Sequence, residues 1–302
     1  MPELIAEFTD RWSLTVGPPF QPGGSCAWVA PARDRAGRDL VLKLAWQHDE
    51  ARDEAEGLRE WNGAGAVLLH AHAAAPATSV LLLERCRPGI PLAEAVPEAD
   101  QDEIVAKLLQ RLWQAPADAA VFRPLSVMSA AWAAEFEQKL AATPGPLDPG
   151  LARATPGSPD PGPARATPGP PDPGLARATP GSLDPGLARA ATDLLRSLPA
   201  TAERQVLLCT DLHAGNILAA AREPWLVIDP KPYVGDPTYD AVQHLLNCDQ
   251  RLFDDPIGLA QRMAALLDLD PERLRLWLFA RCVQESLDHP NLRAVAARLA
   301  PS

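Results

Sequence analysis

The 302-residue chain is poor in the features that would send a protein into a membrane, out of the cell or onto a nucleic acid. No run approaches the ~18 consecutive apolar residues of a membrane-spanning helix. Met1-Pro2-Glu3-Leu4 lacks a basic stretch leading into an apolar one, so no secretory signal is expected. The five cysteines (Cys26, Cys86, Cys209, Cys248 and Cys282) include no close pair of the metal or redox type. Free thiols in a reducing cytoplasm account for them. Positive charge is also short, with 28 Lys and Arg against 39 Asp and Glu and a net charge of −11. That balance argues against DNA or RNA, whose phosphates require a basic face. It suits a cationic small molecule drawn toward an acidic cleft, and equally a surface that is acidic only for solubility. A G-x-x-x-x-G-K-[ST] phosphate loop is missing too. A cytoplasmic monomer without nucleic-acid or membrane partners is expected.

What is abundant is proline, and much of it lies in a tandem repeat. Residues 142–189 are four copies of a twelve-residue unit, Ala-Thr-Pro-Gly-x-x-Asp-Pro-Gly-x-Ala-Arg, beginning at Ala142, Ala154, Ala166 and Ala178. Its density of Pro and Gly excludes helix or central strand. With almost no large apolar groups it cannot offset its ordering entropy, so a disordered insertion is expected. The last copy runs into Ala190-Ala191-Thr192-Asp193-Leu194-Leu195, which reads as a helix from Leu187 entered from that loop. Lengthening a loop from twelve to forty-eight residues is two doublings, about 1.2 kcal/mol of closure entropy. Deleting residues 142–177 is therefore expected to leave activity intact and to raise the melting temperature slightly. An insoluble deletion variant, or one that loses acceptor binding, would contradict this.

The remainder divides into two parts. Residues 1–85 form the expected N-terminal nucleotide-binding lobe. Strand-like runs there lie at Ala27–Ala30, Asp39–Ala45, Ala66–His70 and Val80–Glu84, with one helix near Asp49–Asn62. Residues 86–302 are the expected helical C-terminal lobe, with helical patterns at 98–114, 126–141, 187–198, 237–248, 257–267, 271–287 and 290–299. Three short strand-like runs, Gln205–Cys209, Asn216–Ala219 and Trp225–Ile228, interrupt the helices. A small sheet-rich lobe followed by a larger helical one is an α+β arrangement.

The chemistry concentrates in Leu207-Leu208-Cys209-Thr210-Asp211-Leu212-His213-Ala214-Gly215-Asn216-Ile217-Leu218 and in Trp225-Leu226-Val227-Ile228-Asp229. A hairpin turning at Ala221-Arg222-Glu223-Pro224 would set Asn216 opposite Asp229, beside Asp211 on the preceding loop. An amide oxygen and a carboxylate at one point suit Mg²⁺, which takes hard oxygen ligands and keeps positions for water and phosphate. A carboxylate five residues before a metal-binding Asn, with an Asp one hairpin later, is the protein-kinase pattern. Upstream, Gly23-Gly24-Ser25 is a glycine turn whose N–H groups can approach phosphate. Lys43 is a charge within the apolar run Leu40-Val41-Leu42-Lys43-Leu44-Ala45 and needs anionic partners.

These residues resemble the aminoglycoside phosphotransferase family, a kinase-like fold with an H-x-D-x-x-x-x-N loop. The continuation Ile228-Asp229-Pro230-Lys231-Pro232-Tyr233-Val234-Gly235-Asp236-Pro237 is similar to its streptomycin and hydroxyurea phosphotransferase branch. The resemblance implies ATP and Mg²⁺ as cofactors, Asp211 as catalytic base, and Asn216 and Asp229 as metal ligands. It implies that Lys43, paired with Glu54, holds the α- and β-phosphates, with Glu50 and Glu56 as competing partners. Adenine would lie against the backbone at Glu84–Cys86. His213 is expected to orient Asp211 by a hydrogen bond. Asp236 is expected to accept N–H groups of the catalytic loop, and Asp240 to cap a helix. Cys209 replaces the loop's usual first histidine and would leave the loop less rigid, because a thiol is a weak donor. Asp249, Asp254, Asp255, Glu285 and Asp288 are candidate contacts for a cationic acceptor. The expected activity is phosphorylation of a small-molecule hydroxyl, with an aminoglycoside such as streptomycin as acceptor. Hydroxyurea or another metabolite kinase, a non-catalytic nucleotide-binding pseudokinase and, remotely, a metal-dependent hydrolase are the alternatives.

Overall fold

The computed structural model describes residues 1–21, 26–46, 52–142 and 183–301. The glycine turn Gly23–Ser25, Glu50 and most of the repeat lie outside the described residues.

The chain opens with a helix, α1 (Pro2–Arg11), ahead of the first expected strand. Five strands follow: β1 (Thr15–Val16), β2 (Ala27–Arg33), β3 (Asp39–Trp46), β4 (Leu69–Ala75) and β5 (Thr78–Glu84), with α2 (Glu54–Trp61) between β3 and β4. They form one antiparallel sheet in the order β1-β2-β3-β5-β4. Side chains alternate across a strand. Leu40, Leu42 and Leu44 of β3 and Val80 and Leu82 of β5 therefore share one face, where they are buried with Phe8 of α1. The same alternation turns Lys43 to the opposite face, toward α2.

The fourth strand is displaced from the expected Ala66–His70. Val67 N–H donates to Val227 O and Val227 N–H to Gly65 O, so that segment borders the later hairpin and sheet pairing begins at Leu69.

Beyond β5 lie α3 (Leu92–Ala95), α4 (Glu98–Leu112), α5 (Leu125–Ala142) and α6 (Pro185–Ser197). Helix α6 starts two residues before the expected Leu187. Asp184 of the last repeat copy caps it, accepting from Gly186 N–H and Leu187 N–H, so the end of the copy is helical. Next come β6 (Val206–Leu208), β7 (Ile217–Ala219), β8 (Trp225–Val227) and β9 (Tyr233–Gly235). Helices α7 (Pro237–Asp240), α8 (Val242–Leu246), α9 (Asp249–Asp254), α10 (Pro256–Leu267), α11 (Pro271–Glu285) and α12 (Leu292–Leu299) complete the chain. Strand β6 pairs with β9, and β7 with β8. A second apolar core runs from Leu58 and Trp61 of α2 through Leu109 and Leu208 to Trp277 and Leu299. Among the described residues no helix is long and apolar enough to cross a membrane.

Arg222, in the β7–β8 turn, is bonded at several points to the sheet end. Its guanidinium gives two 2.9 Å bonds to the Glu84 carboxylate, one of 2.7 Å to Gly63 O and one of 2.9 Å to Ala66 O.

Candidate active site

Burying a lone ammonium is prohibitive, so Lys43 identifies its own partners. Its Nζ lies 2.7 and 2.8 Å from the Glu54 carboxylate oxygens and 2.5 Å from Asp229 Oδ1. Burial lowers the proton affinity of Lys43; the carboxylates of Asp229 and Glu54 more than reverse this and hold it charged, above its ordinary range. Two contacts keep α2, which carries Glu54, in place. Asp53 receives a 2.8 Å bond from Arg123, and a Cβ at Gly57 would collide with Pro232, so only glycine permits that approach. Glu56, the competing partner, pairs instead with Arg59 on the surface.

The catalytic-loop segment between β6 and β7 is fastened through its backbone. Asp240, fully buried, accepts from Cys209 N–H at 3.0 Å, Thr210 N–H at 2.6 Å and the Trp113 indole at 3.0 Å. Burial pushes its carboxyl up to about 6, against the pull of these donors. Asp236 does not reach the loop. It caps α7 through Thr238 N–H and holds Arg273 and Trp277, each at 2.7 Å. The expected roles of Asp236 and Asp240 are thus exchanged, because the first begins α7 while the second, one turn later, points back at β6. Thr210 has φ of +53°, an unfavourable region for a β-branched residue. The Asp240 bond and a hydrogen bond from its hydroxyl to Lys231 O hold it there. Asp240→Asn presents an amide N–H₂ to one of these donors. It is expected to lower stability by about 1–3 kcal/mol, measured by denaturant unfolding. An unchanged unfolding midpoint would contradict this.

Cys209 is buried and its thiol is raised well above the ordinary range by burial, so it packs as an apolar group. The loop's anchorage comes from its main chain, with Cys209 O accepting from Lys231 N–H at 2.9 Å as well.

His213 caps the single turn Ala214–Asn216, its Nδ1 accepting from Gly215 N–H at 3.1 Å. That bond, and not one to Asp211, is its hydrogen bond here. Burial lowers its basicity. Asn216 Nδ2 donates to Asp211 O at 3.0 Å, which leaves the amide oxygen as the side chain's acceptor. Pairing of Ile217 with Val227, extended by Ala220 N–H to Pro224 O, puts Asn216 opposite Ile228, one residue from the expected register. The turn then holds Ala221-Arg222-Glu223.

Glu84 and Cys86 flank the crossing between the lobes. The Glu84 carboxylate binds Arg222 and Leu68 N–H, and its own N–H donates to Leu68 O. The Cys86 thiol is buried and pushed up to about 12, largely by that burial.

Lys231 was not among the residues singled out by sequence. Its Nζ lies 2.9 Å from Asp211 Oδ2. The signal available was its place in Pro230-Lys231-Pro232, two residues after Asp229.

On the far side of the loop, His213–Gly215 border a cavity of about 650 Å³, lined also by Glu94, Glu98, Gln101 and Asn247. The five acidic residues expected to meet an acceptor are not in its wall. Asp254 binds Gln250, Asp255 caps α10, Glu285 pairs with Arg281 and Asp288 with Lys139, while Asp249 sits in the first turn of α9. Among the described residues the one His/Cys/acid cluster with metal-ligand spacing is Asp102, His244 and Cys248. Asp102 there already binds Arg251 and Arg262, and a metal cation beside two guanidiniums is disfavoured.

A small antiparallel sheet over a helical lobe, with a carboxylate loop and a lysine–glutamate–aspartate cluster in the cleft, has the form of a kinase-like phosphotransferase. The family described as aminoglycoside/hydroxyurea antibiotic resistance kinase matches residues 11–154 and 175–288, and the chain belongs to it. Streptomycin 6-kinase of Streptomyces glaucescens is 31% identical over 296 residues, covering 95% of this chain and 82% of that protein. Hydroxyurea phosphotransferase of Kitasatospora aureofaciens is 31% identical over 293 residues, covering 95% and 72%. Among solved structures, macrolide 2'-phosphotransferase type I superposes with a TM-score of 0.56 at 15% identity, covering 100% of this chain and 97% of that one. Choline kinase LicA from Streptococcus pneumoniae gives 0.57 at 12%, covering 98% and 95%. The protein is a small-molecule kinase, a phosphotransferase acting on hydroxyl groups.

Proposed function

We propose that the protein uses ATP and Mg²⁺ to phosphorylate a hydroxyl of an aminoglycoside such as streptomycin. The observation that carries this is the convergence of Lys43, Glu54 and Asp229 beside the loop bearing Asp211 and Asn216. In this reading Asp211 is the base that accepts the acceptor's proton. Lys43 meets the α- and β-phosphates, with Glu54 as its support. Adenine lies along the backbone at Glu84–Cys86, and Gly23, Gly24 and Ser25 cover the phosphates.

The donor set fits Mg²⁺. Asn216 is held by its amide nitrogen with the oxygen left to bind, and the Asp229 carboxylate, which meets Lys43 through Oδ1, is half exposed. Bound there, the ion would neutralise charge on the β- and γ-phosphates. Asp229→Ala is expected to abolish the tightening of ATP binding by Mg²⁺, measured by titration calorimetry with and without the metal. Normal enhancement in the variant would assign the metal to another residue.

The cavity beside His213 supports an acceptor of aminoglycoside size. At about 650 Å³ it is within the range of drug-sized ligand sites, and Glu94 and Glu98 in its wall suit a cation. Hydroxyurea, the substrate in one relative's name, is far smaller than this space. An ATP-consumption screen across aminoglycosides, with hydroxyurea and a macrolide as comparators, tests the reading. Turnover with streptomycin or a related aminoglycoside supports it; turnover with hydroxyurea alone, or with none, sinks it.

A further inference from the structure

We infer that Lys231 is a catalytic residue that neutralises the transferring phosphoryl group while it bridges to Asp211; this rests on the kinase reading above but not on the identity of the acceptor.

The local sequence fixes where this side chain sits. Pro230 and Pro232 lock their own φ angles, and the second biases Lys231 toward extended backbone. The Lys231 peptide is then held on both sides. Its N–H donates to Cys209 O at 2.9 Å, and its carbonyl accepts from the Thr210 hydroxyl. Those partners are the two residues immediately before Asp211. Pro232 in turn rests against Gly57 of α2. The stem of Lys231 therefore starts from a backbone clamped to the catalytic loop, and its ammonium lands 2.9 Å from Asp211 Oδ2 with about a quarter of the side chain exposed.

That position matters because of what must pass there. An acceptor hydroxyl handing its proton to Asp211 lies within hydrogen-bond reach of the carboxylate, and its oxygen is the atom that receives the phosphoryl group. The phosphoryl oxygens consequently arrive within a few ångströms of Lys231 Nζ, within the play of a flexible lysine stem. In the step, the acceptor oxygen–phosphorus bond forms and the bond from phosphorus to the bridging oxygen of ADP breaks. The hydroxyl proton goes to Asp211, and Lys231 keeps all of its own.

The other nearby side chains leave this task to it. Lys43, held between Glu54 and Asp229, is assigned in the kinase reading to the α- and β-phosphates, and His213 Nδ1 is occupied as the acceptor of Gly215 N–H. Charge placed where it develops in the transition state is worth more to rate than to binding.

The test compares wild type, Lys231→Met, Lys231→Arg, Asp211→Asn and the Lys231→Met/Asp211→Asn double variant, each first shown to retain the wild-type melting temperature within a few degrees. Two measurements are made. The first is binding of Mg·ADP alone and of Mg·ADP with aluminium fluoride, a mimic of the transferring group, read by calorimetry without any acceptor. Lys231→Met is expected to weaken the fluoride complex at least about tenfold while Mg·ADP affinity stays within about threefold, and Lys231→Arg to restore part of the loss. The second is phosphoryl transfer at saturating substrates, where Lys231→Met should lower kcat about 10²–10³-fold with little change in either KM. In the Asp211→Asn background the same change should lower the residual rate further.

Equal affinity of wild type and Lys231→Met for the fluoride complex overturns the proposal. So does an additional effect of zero in the Asp211→Asn background, which would reduce Lys231 to a support for Asp211. Failure of the wild type to phosphorylate any aminoglycoside counts against the acceptor assignment, and the fluoride measurement still decides the role of Lys231.

Discussion

Asp211→Asn should leave the protein folded and able to bind ATP while kcat falls about 10²–10⁴-fold, the usual worth of a general base. The substitution keeps side-chain size and one oxygen, so Lys231 retains a neutral acceptor in place of a carboxylate. Asn216 is anchored on the backbone carbonyl of residue 211, not on its side chain, and is undisturbed. The loop's other fastenings, Asp240 to Cys209 and Thr210, do not involve the Asp211 carboxylate either. What disappears is the carboxylate that, in the proposed reading, takes the acceptor's proton. Steady-state kinetics at saturating ATP and acceptor, with ATP affinity from calorimetry, separate the two effects. Turnover within threefold of wild type would remove Asp211 from the mechanism; loss of ATP binding as well would give it a structural role.

The largest effect on stability is expected away from the cleft, at Asp102. Its carboxylate is fully buried at the junction of α4 with α8–α10. It meets His244 Nε2 at 2.9 Å, Arg251 at 2.5 and 3.0 Å, and Arg262 at 2.9 Å. Burial raises the carboxyl's proton affinity, but the hydrogen bonds from His244, Arg251 and Arg262 outweigh it, and the group is held well below the usual carboxylate range. Removing one partner from a buried charge network typically costs about 3–5 kcal/mol, because the remaining charges stay buried without compensation. Against a total of roughly 5–15 kcal/mol, Asp102→Ala is expected to leave the fold marginal. The pH dependence has a definite sign. A depressed carboxyl contributes stability above its unfolded pKa of about 3.9 and loses it as pH falls through the lower folded value. The difference between wild type and Asp102→Ala should therefore be constant from about pH 7 to 5 and shrink only in more acid solution. Urea unfolding at several pH values measures it, and a variant less than 1 kcal/mol from wild type would refute the network's importance.

The site residues differ in how openly the sequence displays them. Lys43 is visible because a two-residue period isolates one charge among leucines, and burial then requires a carboxylate. Asp211, Asn216 and Asp229 stand out because their spacing around a short hairpin is itself the chemical signal. Asp236 and Asp240 could not be told apart in the same way. They are one helical turn apart and chemically identical, and only the packing of α7 against β6 decides which one meets the loop. Lys231 is hidden for a related reason: between two prolines it reads as turn punctuation, and its partner lies twenty residues earlier in the chain. Four of the acceptor candidates have local partners instead, because acidic residues at helix ends readily serve capping and local ion pairs. Glu94 and Glu98 are set beside His213 only by the return of α3 and α4 toward the loop. Helix α1 was missed since a single fully buried side chain, Phe8, ties it to the sheet.

The bonds of Arg222 to Glu84, Gly63 and Ala66 have a mechanical consequence. They stitch the β7–β8 turn to the end of the sheet, so the hairpin that leads into Asp229 and the sheet that carries Lys43 are joined at one edge by side-chain bonds as well as by the backbone pairs of Val227 with Gly65 and Val67. One guanidinium is thus a seam between stretches of chain far apart in sequence, and Arg222→Ala would leave that seam to backbone pairing.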